Sequence, residues 1–138
     1  MDILAGYAGK VLRVDLSSGA VSTELLTEEK LRPFLGGTGY AARILYDELK
    51  AGTDPLGPDN LFVLATGPLT DNLVPGGGSL SFCCKSPLTG GWAEARVGCD
   101  MGGTLKKAGY DFVVLSGRAE RPVHLVITDG RAELESAE

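Results

Sequence analysis

The chain has 138 residues, of which 43% are hydrophobic and 22% charged, a balance typical of a folded domain rather than a disordered chain. Its formal net charge of −5 at pH 7 argues against a nucleic-acid-binding protein. The sequence has no apolar run of the ~20 residues that a membrane-spanning helix needs and no signal peptide in residues 1–10, so we expect a cytoplasmic protein without a membrane partner.

The first third of the chain predicts a β-hairpin followed by two helices. Residues 11–16 alternate between apolar and polar side chains, which predicts a half-buried strand. Residues 17–19 form a turn, and residues 20–26 predict the partner strand. Thr27 is a candidate N-cap of a short helix that ends near residues 36–37. A second helix with an apolar stripe is predicted over residues 38–49.

The rest of the chain predicts mainly strands. These are residues 61–66, 79–84, 92–97 and 112–116, followed by a hairpin of residues 123–128 and 131–134, with one further helix over residues 101–108. Strands and helices do not alternate strictly. The fold class predicted is therefore α+β, with a mostly antiparallel or mixed β-sheet and two to three short helices in a single domain over residues 1–138.

Cysteine and histidine give little sign of a metal or catalytic site. Cys83, Cys84 and Cys99 are odd in number and lack CxxC spacing, so we interpret them as buried or half-buried free thiols. A complete iron–sulfur or zinc site is not expected, because both usually need about four ligands. His124 is interpreted as a half-exposed structural residue, since the sequence suggests no partner carboxylate for it. Trp92 and Tyr110 are assigned to packing, and no catalytic residue and no metal ligand are predicted.

Glycine is the most unusual feature of the composition, with 20 residues. Residues 60–111 contain three glycine-rich turns beside short apolar runs, and two of these turns share the letters PLT, at residues 67–70 and 86–90. Glycine leaves backbone N–H groups open to a ligand, because it has no Cβ. We expect the turns to form one surface at the strand ends, where a flat or anionic cofactor rests.

Several motifs together carry a resemblance to a known family. In order, they are GYAGKVLRVDLSSG, FLGGTGYAARILYDE, TDPLGPDNLFVLATGPLT, KSPLTGG and KKAGYDFVVLSGRAERPVHLVI. Over about residues 5–128 the chain resembles the N-terminal domain of tungsten-containing aldehyde ferredoxin oxidoreductases. In that family the domain is roughly a doubled unit, and this chain resembles its first half.

The resemblance implies a role in a larger oxidoreductase. Family members hold a bis-pterin (molybdopterin-type) tungsten or molybdenum cofactor on this domain, and a [4Fe–4S] cluster passes electrons from aldehyde oxidation to ferredoxin. The cluster cysteines lie in later domains, so the chain is expected to be inactive alone. Its expected partners are the remaining domains or subunits, and ferredoxin through the complete enzyme; a homo-oligomer stays open. The alternative is a stand-alone, non-catalytic binding or assembly subunit that has lost the metal cofactor.

The resemblance also points to candidate cofactor-binding residues in two loops and one strand end. These residues are Gly76, Gly77, Gly78, Ser79, Lys85, Arg96 and Gly98. For the glycines the alternative is a tight turn that needs glycine only for its backbone angles. For Lys85 and Arg96 the alternative is a solvated surface charge.

This chain departs from the family at positions beside the pterin. Ser79 stands where members commonly carry an arginine, and Thr38 stands where they carry another. Arg96 stands where they carry an asparagine, whose backbone carbonyl helps to hold a magnesium ion between the pterin phosphates. Arg96 therefore either replaces the positive charge that is missing at Ser79, or the site has changed and no longer binds the cofactor.

Overall fold

The computed structural model describes residues 5–71 and 74–138. The strands are β1 (Lys10–Asp15), β2 (Ala20–Leu25), β3 (Phe62–Ala65), β4 (Ser79–Lys85), β5 (Trp92–Gly98), β6 (Phe112–Ser116), β7 (Val123–Thr128) and β8 (Arg131–Ser136). The helices are α1 (Glu28–Leu31), α2 (Gly37–Glu48) and α3 (Met101–Lys107). Every predicted strand and helix is present, with ends that differ by a few residues.

Six strands form one sheet in the order β2-β1-β6-β3-β4-β5, and β7 pairs with β8 in a separate hairpin. β1 and β6 run parallel, whereas the other neighbouring pairs are antiparallel. The α+β class with a mostly antiparallel sheet is therefore confirmed. The parallel pair joins the beginning of the chain to a strand that lies about one hundred residues later.

The sheet is covered on both faces, so the core has two parts. On one side the buried residues include Leu31 of α1 and Ala41 and Ile44 of α2. On the other side Leu105 of α3 and the apolar side chains of the β7–β8 hairpin pack against the sheet. This arrangement leaves the ends of the strands open, and the candidate loops lie there.

β1 is more deeply buried than its alternation predicted. Leu12 and Val14 face the hairpin side, as expected, but Val11 is also buried, on the side of α2. Arg13 on that second face is partly exposed and forms an ion pair with Glu48 of α2. The half-buried strand is therefore confirmed, with the one difference that α2 also covers Val11.

The first predicted helix is shorter than expected. Thr27 is confirmed as its N-cap, with its side-chain oxygen accepting a hydrogen bond from a backbone N–H. The helix ends at Leu31 with Arg32 as its C-cap, because Pro33 follows and has no backbone N–H to continue the helical hydrogen bonds. The chain then passes through Leu35 and Gly36, at φ 56° and 101°, before α2 begins.

The two PLT turns do not form one surface, which corrects the sequence prediction. Residues 67–70 follow the end of β3, whereas residues 86–90 join β4 to β5 at the opposite end of the sheet. Both turns follow the carboxyl end of a strand, but β3 and β4 are antiparallel. The carboxyl ends of β3 and β4 therefore lie at opposite ends of the strands in the sheet.

The thiols and the histidine have the predicted exposure. Cys83 is buried and Cys84 and Cys99 are half-buried, all as free thiols. Burial raises the pKa of Cys83 to about 12, which keeps this thiol protonated and unreactive. His124 is half-exposed, but it has a carboxylate partner after all, since Glu135 lies opposite it at 3.3 Å on β8.

The two predicted packing aromatics differ. Tyr110 is buried and its hydroxyl donates a 2.8 Å hydrogen bond to Gly130 O. Trp92 is 42% exposed, because β5 is an edge strand and has no neighbour on one side.

In residues 5–71 and 74–138 no helix is long and apolar enough to cross a membrane.

Candidate functional site

A cavity of about 430 Å³ lies at the sheet end that carries the first PLT turn. Its wall consists of residues 36–39 at the start of α2, Ala65 and residues 67–70 at and after the end of β3, residues 74–77 before β4, Ser79 and Ser81 of β4, and Arg96 of β5. We call it the glycine cavity. Gly36, Gly37, Gly39, Gly67, Gly76 and Gly77 all contribute to its wall.

The segments meet because of strand direction. β3 ends and β4 begins at this edge, and the end of β5 lies beside the start of β4, with Ser79 opposite Gly98. The start of α2 is held there by a 2.8 Å hydrogen bond from Gly37 N to Thr66 O, just after β3. Three strand ends and one helix start are thus fixed around the same space.

The structure brings together most of the predicted site residues. Gly76, Gly77, Ser79 and Arg96 line the glycine cavity. Gly78 and Gly98 lie beside it at the end of the β4–β5 ladder, outside the wall itself. The glycine loop and the end of β5 are therefore neighbours, as the sequence suggested.

Lys85 is not part of this site. It lies opposite Trp92 at the other end of β4, about 20 Å from Ser79 at the ~3.3 Å rise of a strand residue. Its ammonium group donates a 2.6 Å hydrogen bond to Thr53 O in the loop before β3. Lys85 therefore lies far from the glycine loop, because six residues of an extended strand separate them, and its assignment as a cofactor contact stays a prediction.

The glycines of the cavity are needed for different reasons. Gly76 has φ 83°, which favours glycine for its backbone angles alone. A Cβ at Gly77 would overlap the carbonyl oxygen of Leu69. Gly67 has neither constraint, since no atom of the described residues lies within 4 Å of an added Cβ. Tight-turn geometry therefore explains the first two glycines, while the backbone at Gly67 is simply open to the cavity.

Arg96 is the charged group of the wall among the described residues, and it is paired. Its Nε donates a 2.6 Å hydrogen bond to Glu94 Oε1, and its Nη2 lies 3.4 Å from Thr38 Oγ1. Thr38 Oγ1 in turn donates to Glu94 Oε1 at 2.8 Å. These hydrogen bonds, from Arg96 first and then Thr38, lower the pKa of Glu94 and keep it ionised.

Thr38 and Glu94 are functional candidates that the sequence prediction did not include. The signal for Glu94 was available, because residues two apart on a strand share a face and Glu94 precedes Arg96 by two. Thr38 stood in the GGTG stretch before α2, but its distance to β5 depends on how α2 packs. That packing brings Thr38 Oγ1 within 3.3 Å of Ser81 Oγ on β4 as well.

A second cavity, of about 640 Å³, is mainly apolar. We call it the apolar groove. Its wall includes Leu45 and Tyr46 of α2, Leu49 just after that helix, and Trp92 of β5, and Tyr46 is 84% exposed. Gly39 borders both cavities, so α2 lies between them.

A buried lysine anchors the far wall of the glycine cavity. Lys106 of α3 is only 9% exposed and donates hydrogen bonds to Gly6 O and, at 2.7 Å, to Gly67 O. Its partner Asp111 lies 3.8 Å away and accepts hydrogen bonds from Ala8 N and Gly9 N at 3.0 and 2.7 Å. Burial lowers the pKa of Lys106, although the charge of Asp111 opposes this shift.

The part of the chain that the structure describes contains no group of three or more His, Cys, Asp or Glu side chains that could hold a metal ion. Gly37 N, Gly67 N and Gly77 N already donate to protein oxygens, so what this end of the sheet offers instead is hydroxyls and one guanidinium. Such groups bind anions rather than metal cations.

Comparison with known proteins identifies relatives along nearly the whole chain. Residues 11–138 match the family described as "Aldehyde ferredoxin oxidoreductase, N-terminal domain". A tungsten-containing aldehyde ferredoxin oxidoreductase of Pyrococcus horikoshii is 41% identical over 132 residues, which are 96% of this chain and 22% of that protein. The WOR-like subunit of an aliphatic sulfonate oxidoreductase of Pyrococcus furiosus is 39% identical over 134 residues, which are 95% of this chain and 21% of that subunit.

A solved structure has the same fold. It is the active site complex BamBC of benzoyl coenzyme A reductase with 1,5-dienoyl-CoA, with a TM-score of 0.95 and 30% sequence identity over 98% of this chain and 21% of the other. The chain thus spans about a fifth of the length of these relatives. With a family match over residues 11–138 and 41% identity to one of its tungsten enzymes, the chain belongs to the family of aldehyde ferredoxin oxidoreductase N-terminal domains.

Proposed function

We propose that this domain seats the bis-pterin tungsten or molybdenum cofactor of a larger oxidoreductase that oxidises aldehydes to carboxylic acids with ferredoxin as acceptor. The observation that carries the proposal is the glycine cavity, where three strand ends and the start of α2 converge. When bound, the metal-pterin group supplies the redox chemistry. The domain supplies position and hydrogen-bond donors.

The wall of the cavity fits the anionic part of such a group. At Gly37, Gly67 and Gly76 no described atom lies within 4 Å of an added Cβ, so a ligand can approach the backbone directly. Hydroxyl groups of Thr38 and Ser79 and the guanidinium of Arg96 border the same space. Phosphate oxygens accept hydrogen bonds from hydroxyl and guanidinium groups. We infer that the pterin, rather than the described part of this chain, carries the metal.

Backbone strain beside the cavity supports a functional role. Leu35 and Asp71 have φ of 56° and 66°, and each adjoins a segment of the cavity wall. Left-handed conformations of residues other than glycine are uncommon, and they concentrate at ligand sites. The loops are held in these conformations by contacts from outside the cavity, such as the hydrogen bond from the Tyr7 hydroxyl to Leu35 O.

The proposal is tested by what the protein holds in its source cells. We expect the assembly purified from them to contain stoichiometric tungsten or molybdenum and to release a fluorescent oxidised pterin. Gly67→Val, which puts bulk into open space at the cavity wall, should lower both contents severalfold. Gly98→Val is the matched control, because it makes the same change beside open space but lies outside the wall. Equal metal and pterin in both variants would contradict cofactor seating.

The chain alone is expected to lack activity. Expressed by itself and given an aldehyde and a viologen acceptor, it should show turnover at background level, since the chain spans about a fifth of its relatives. Turnover well above background would refute the view that this domain needs further domains or subunits.

One observation favours a second candidate, a non-catalytic binding or assembly subunit. Arg96 is neutralised by Glu94, and Ser79 carries no charge to replace it. A site that no longer held an anionic cofactor would not need a net positive charge, and the Arg96–Glu94 pair provides none. An assembly from source cells without tungsten, molybdenum and pterin would support this candidate over the first.

A further inference from the structure

Glu94 occupies a position from which it controls the charge of the glycine cavity. It lies on β5 opposite Cys83, and Arg96 follows two residues later opposite Ser81. Both side chains therefore extend from the face of the sheet that α2 covers. The carboxylate stands between the cavity, which Arg96 borders, and the apolar groove, which Trp92 borders.

Three side chains hold this carboxylate. Oε1 accepts hydrogen bonds from Arg96 Nε at 2.6 Å and from Thr38 Oγ1 at 2.8 Å. Oε2 accepts a longer one, of 3.4 Å, from Trp92 Nε1. The carboxylate thus contacts a wall residue of each cavity: the guanidinium of Arg96 at the glycine cavity and the indole of Trp92 at the apolar groove.

The pair leaves the cavity without net charge from its described wall. Arg96 is the charged side chain of that wall, and Glu94 cancels it. The Arg96 side chain is 67% exposed, whereas that of Glu94 is 23% exposed. Exposed ion pairs are weak, so a multivalent anion in the cavity can compete for the guanidinium.

We propose that Glu94 is an internal counter-ion that holds Arg96 while the cavity is empty, and that an incoming phosphate-bearing anion displaces its carboxylate from the guanidinium. This inference rests on the proposed function, because it concerns the same anion site. It assigns Glu94 a regulatory role: its carboxylate lowers the affinity for anions and so favours ligands with several negative charges over those with one.

Inorganic pyrophosphate, titrated into the chain by calorimetry, is the probe. Glu94→Gln keeps an oxygen that can accept from Thr38 and Arg96 but removes the competing charge. We expect it to bind pyrophosphate about two- to fivefold more tightly than the unchanged chain, the effect of one partly exposed charge. Glu120→Gln, at an exposed position between β6 and β7, makes the same charge change away from the cavity and should leave the affinity unchanged.

Trp92 gives a second readout, because it is the chain's single tryptophan and its indole contacts Glu94. Pyrophosphate should shift the Trp92 emission of the unchanged chain as the carboxylate moves. The shift should be absent in Arg96→Gln, which cannot bind the anion through the guanidinium.

The outcomes separate this inference from the proposed function. If Arg96→Gln weakens pyrophosphate binding but Glu94→Gln binds no more tightly than the unchanged chain, the counter-ion role is overturned while the anion site stands. If pyrophosphate does not bind, or binds equally without Arg96, the anion site is refuted and the counter-ion role falls with it.

Discussion

Gly77 lies so close to the neighbouring turn that a side chain does not fit. A Cβ there would overlap Leu69 O and would lie 3.1 Å from Val74 O, and both obstacles are backbone atoms that cannot rotate away. The first PLT turn and the loop before β4 therefore touch through bare backbone. This contact shapes one side of the glycine cavity.

Gly77→Ala should destabilise the domain by about 1–3 kcal/mol, because the loop must shift to admit the methyl group. Gly67→Ala, in the same wall but facing open space, should change the free energy of unfolding by less than ~0.5 kcal/mol. Urea denaturation of both variants measures this difference. Equal stabilities would mean that the close contact at Gly77 does not constrain the loop.

Lys106 is a residue whose charge is used for structure. It joins the carbonyls of Gly6 and Gly67 to α3 while lying beside the buried Asp111. Without Lys106, the buried charge of Asp111 would keep only its hydrogen bonds from Ala8 N and Gly9 N, and losing one partner of a buried pair is strongly destabilising.

Lys106→Met should therefore cost about 3–5 kcal/mol of stability. Lys107→Met is the control at the next position, since Lys107 is 72% exposed and pairs with Asp71 on the surface. Its cost should stay below ~1 kcal/mol. Thermal unfolding of the two variants side by side checks the prediction, and similar melting temperatures would contradict it.

At the scale of elements, one arginine joins β1, β2 and α2. Arg13 donates from Nε to Glu24 of β2 at 2.8 Å and from both Nη atoms to Glu48 of α2 at 2.9 and 2.7 Å. Lys30 also donates to Glu24, at 2.6 Å. Burial alone would raise the pKa of Glu24, but the hydrogen bonds from Lys30 and Arg13 outweigh it, and the pKa lies below its ordinary value.

This shift fixes the sign of a pH dependence. A carboxylate with a lowered folded pKa adds stability above its unfolded pKa of about 4.5, and this contribution is lost as the pH falls through the folded value. Arg13→Met should cost about 0.5–1 kcal/mol at pH 6 and should lose less further stability at pH 3 than the unchanged chain. Arg121→Met, in an exposed pair with Glu138, should leave the pH slope unaltered. Urea denaturation at pH 6 and pH 3 measures both free energies of unfolding. If Arg13→Met and the unchanged chain lost the same stability between the two pH values, the role of Glu24 would be disproved.

The elements themselves follow from local sequence, whereas their meeting points do not. Alternation on β1 and β7, Thr27 at a helix start and the Asp129–Gly130 turn each encode a local conformation, and the structure confirms them. Which loops share an edge depends on strand direction and order. The sequence prediction therefore grouped the glycine loop with Arg96, which does lie beside it, but also with Lys85, which lies at the other end of β4.

The same reasoning explains why Glu94 was missed. Its partner Thr38 lies 56 residues away, on a helix whose position depends on the packing of α2 against β3 and β4. No local pattern encodes that packing. Departures from the family motif, at Thr38 and Arg96, were visible in the sequence, but their contact through Glu94 was not.

For the molecule as a whole, the apolar groove is a surface feature that the core does not close. Trp92, Tyr46 of α2 and Leu49 just after that helix expose apolar atoms around a cavity of about 640 Å³. Exposed apolar patches of this kind bind hydrophobic molecules.

The folded chain should therefore enhance the fluorescence of the dye ANS. Ala42→Glu, which puts a charge into the groove wall, should remove most of the enhancement, whereas Ala20→Glu at the exposed start of β2 should not. Unchanged circular dichroism would show that both variants remain folded. Dye binding that persists in Ala42→Glu would mean that the groove is not the apolar surface that the dye reports.

The parallel pairing of β1 with β6 has a consequence for synthesis on the ribosome. β1 and β2 can close their hairpin at once, but Val11 meets Phe112 only when about a hundred further residues have been made, because parallel strands need a distant partner. Until then the backbone groups of β1 on the side away from β2 are unpaired and available to chaperones. We expect chains truncated before Phe112 to be cut rapidly by proteases, and chains extended past Ser116 to resist, so that protection arrives late and in one step.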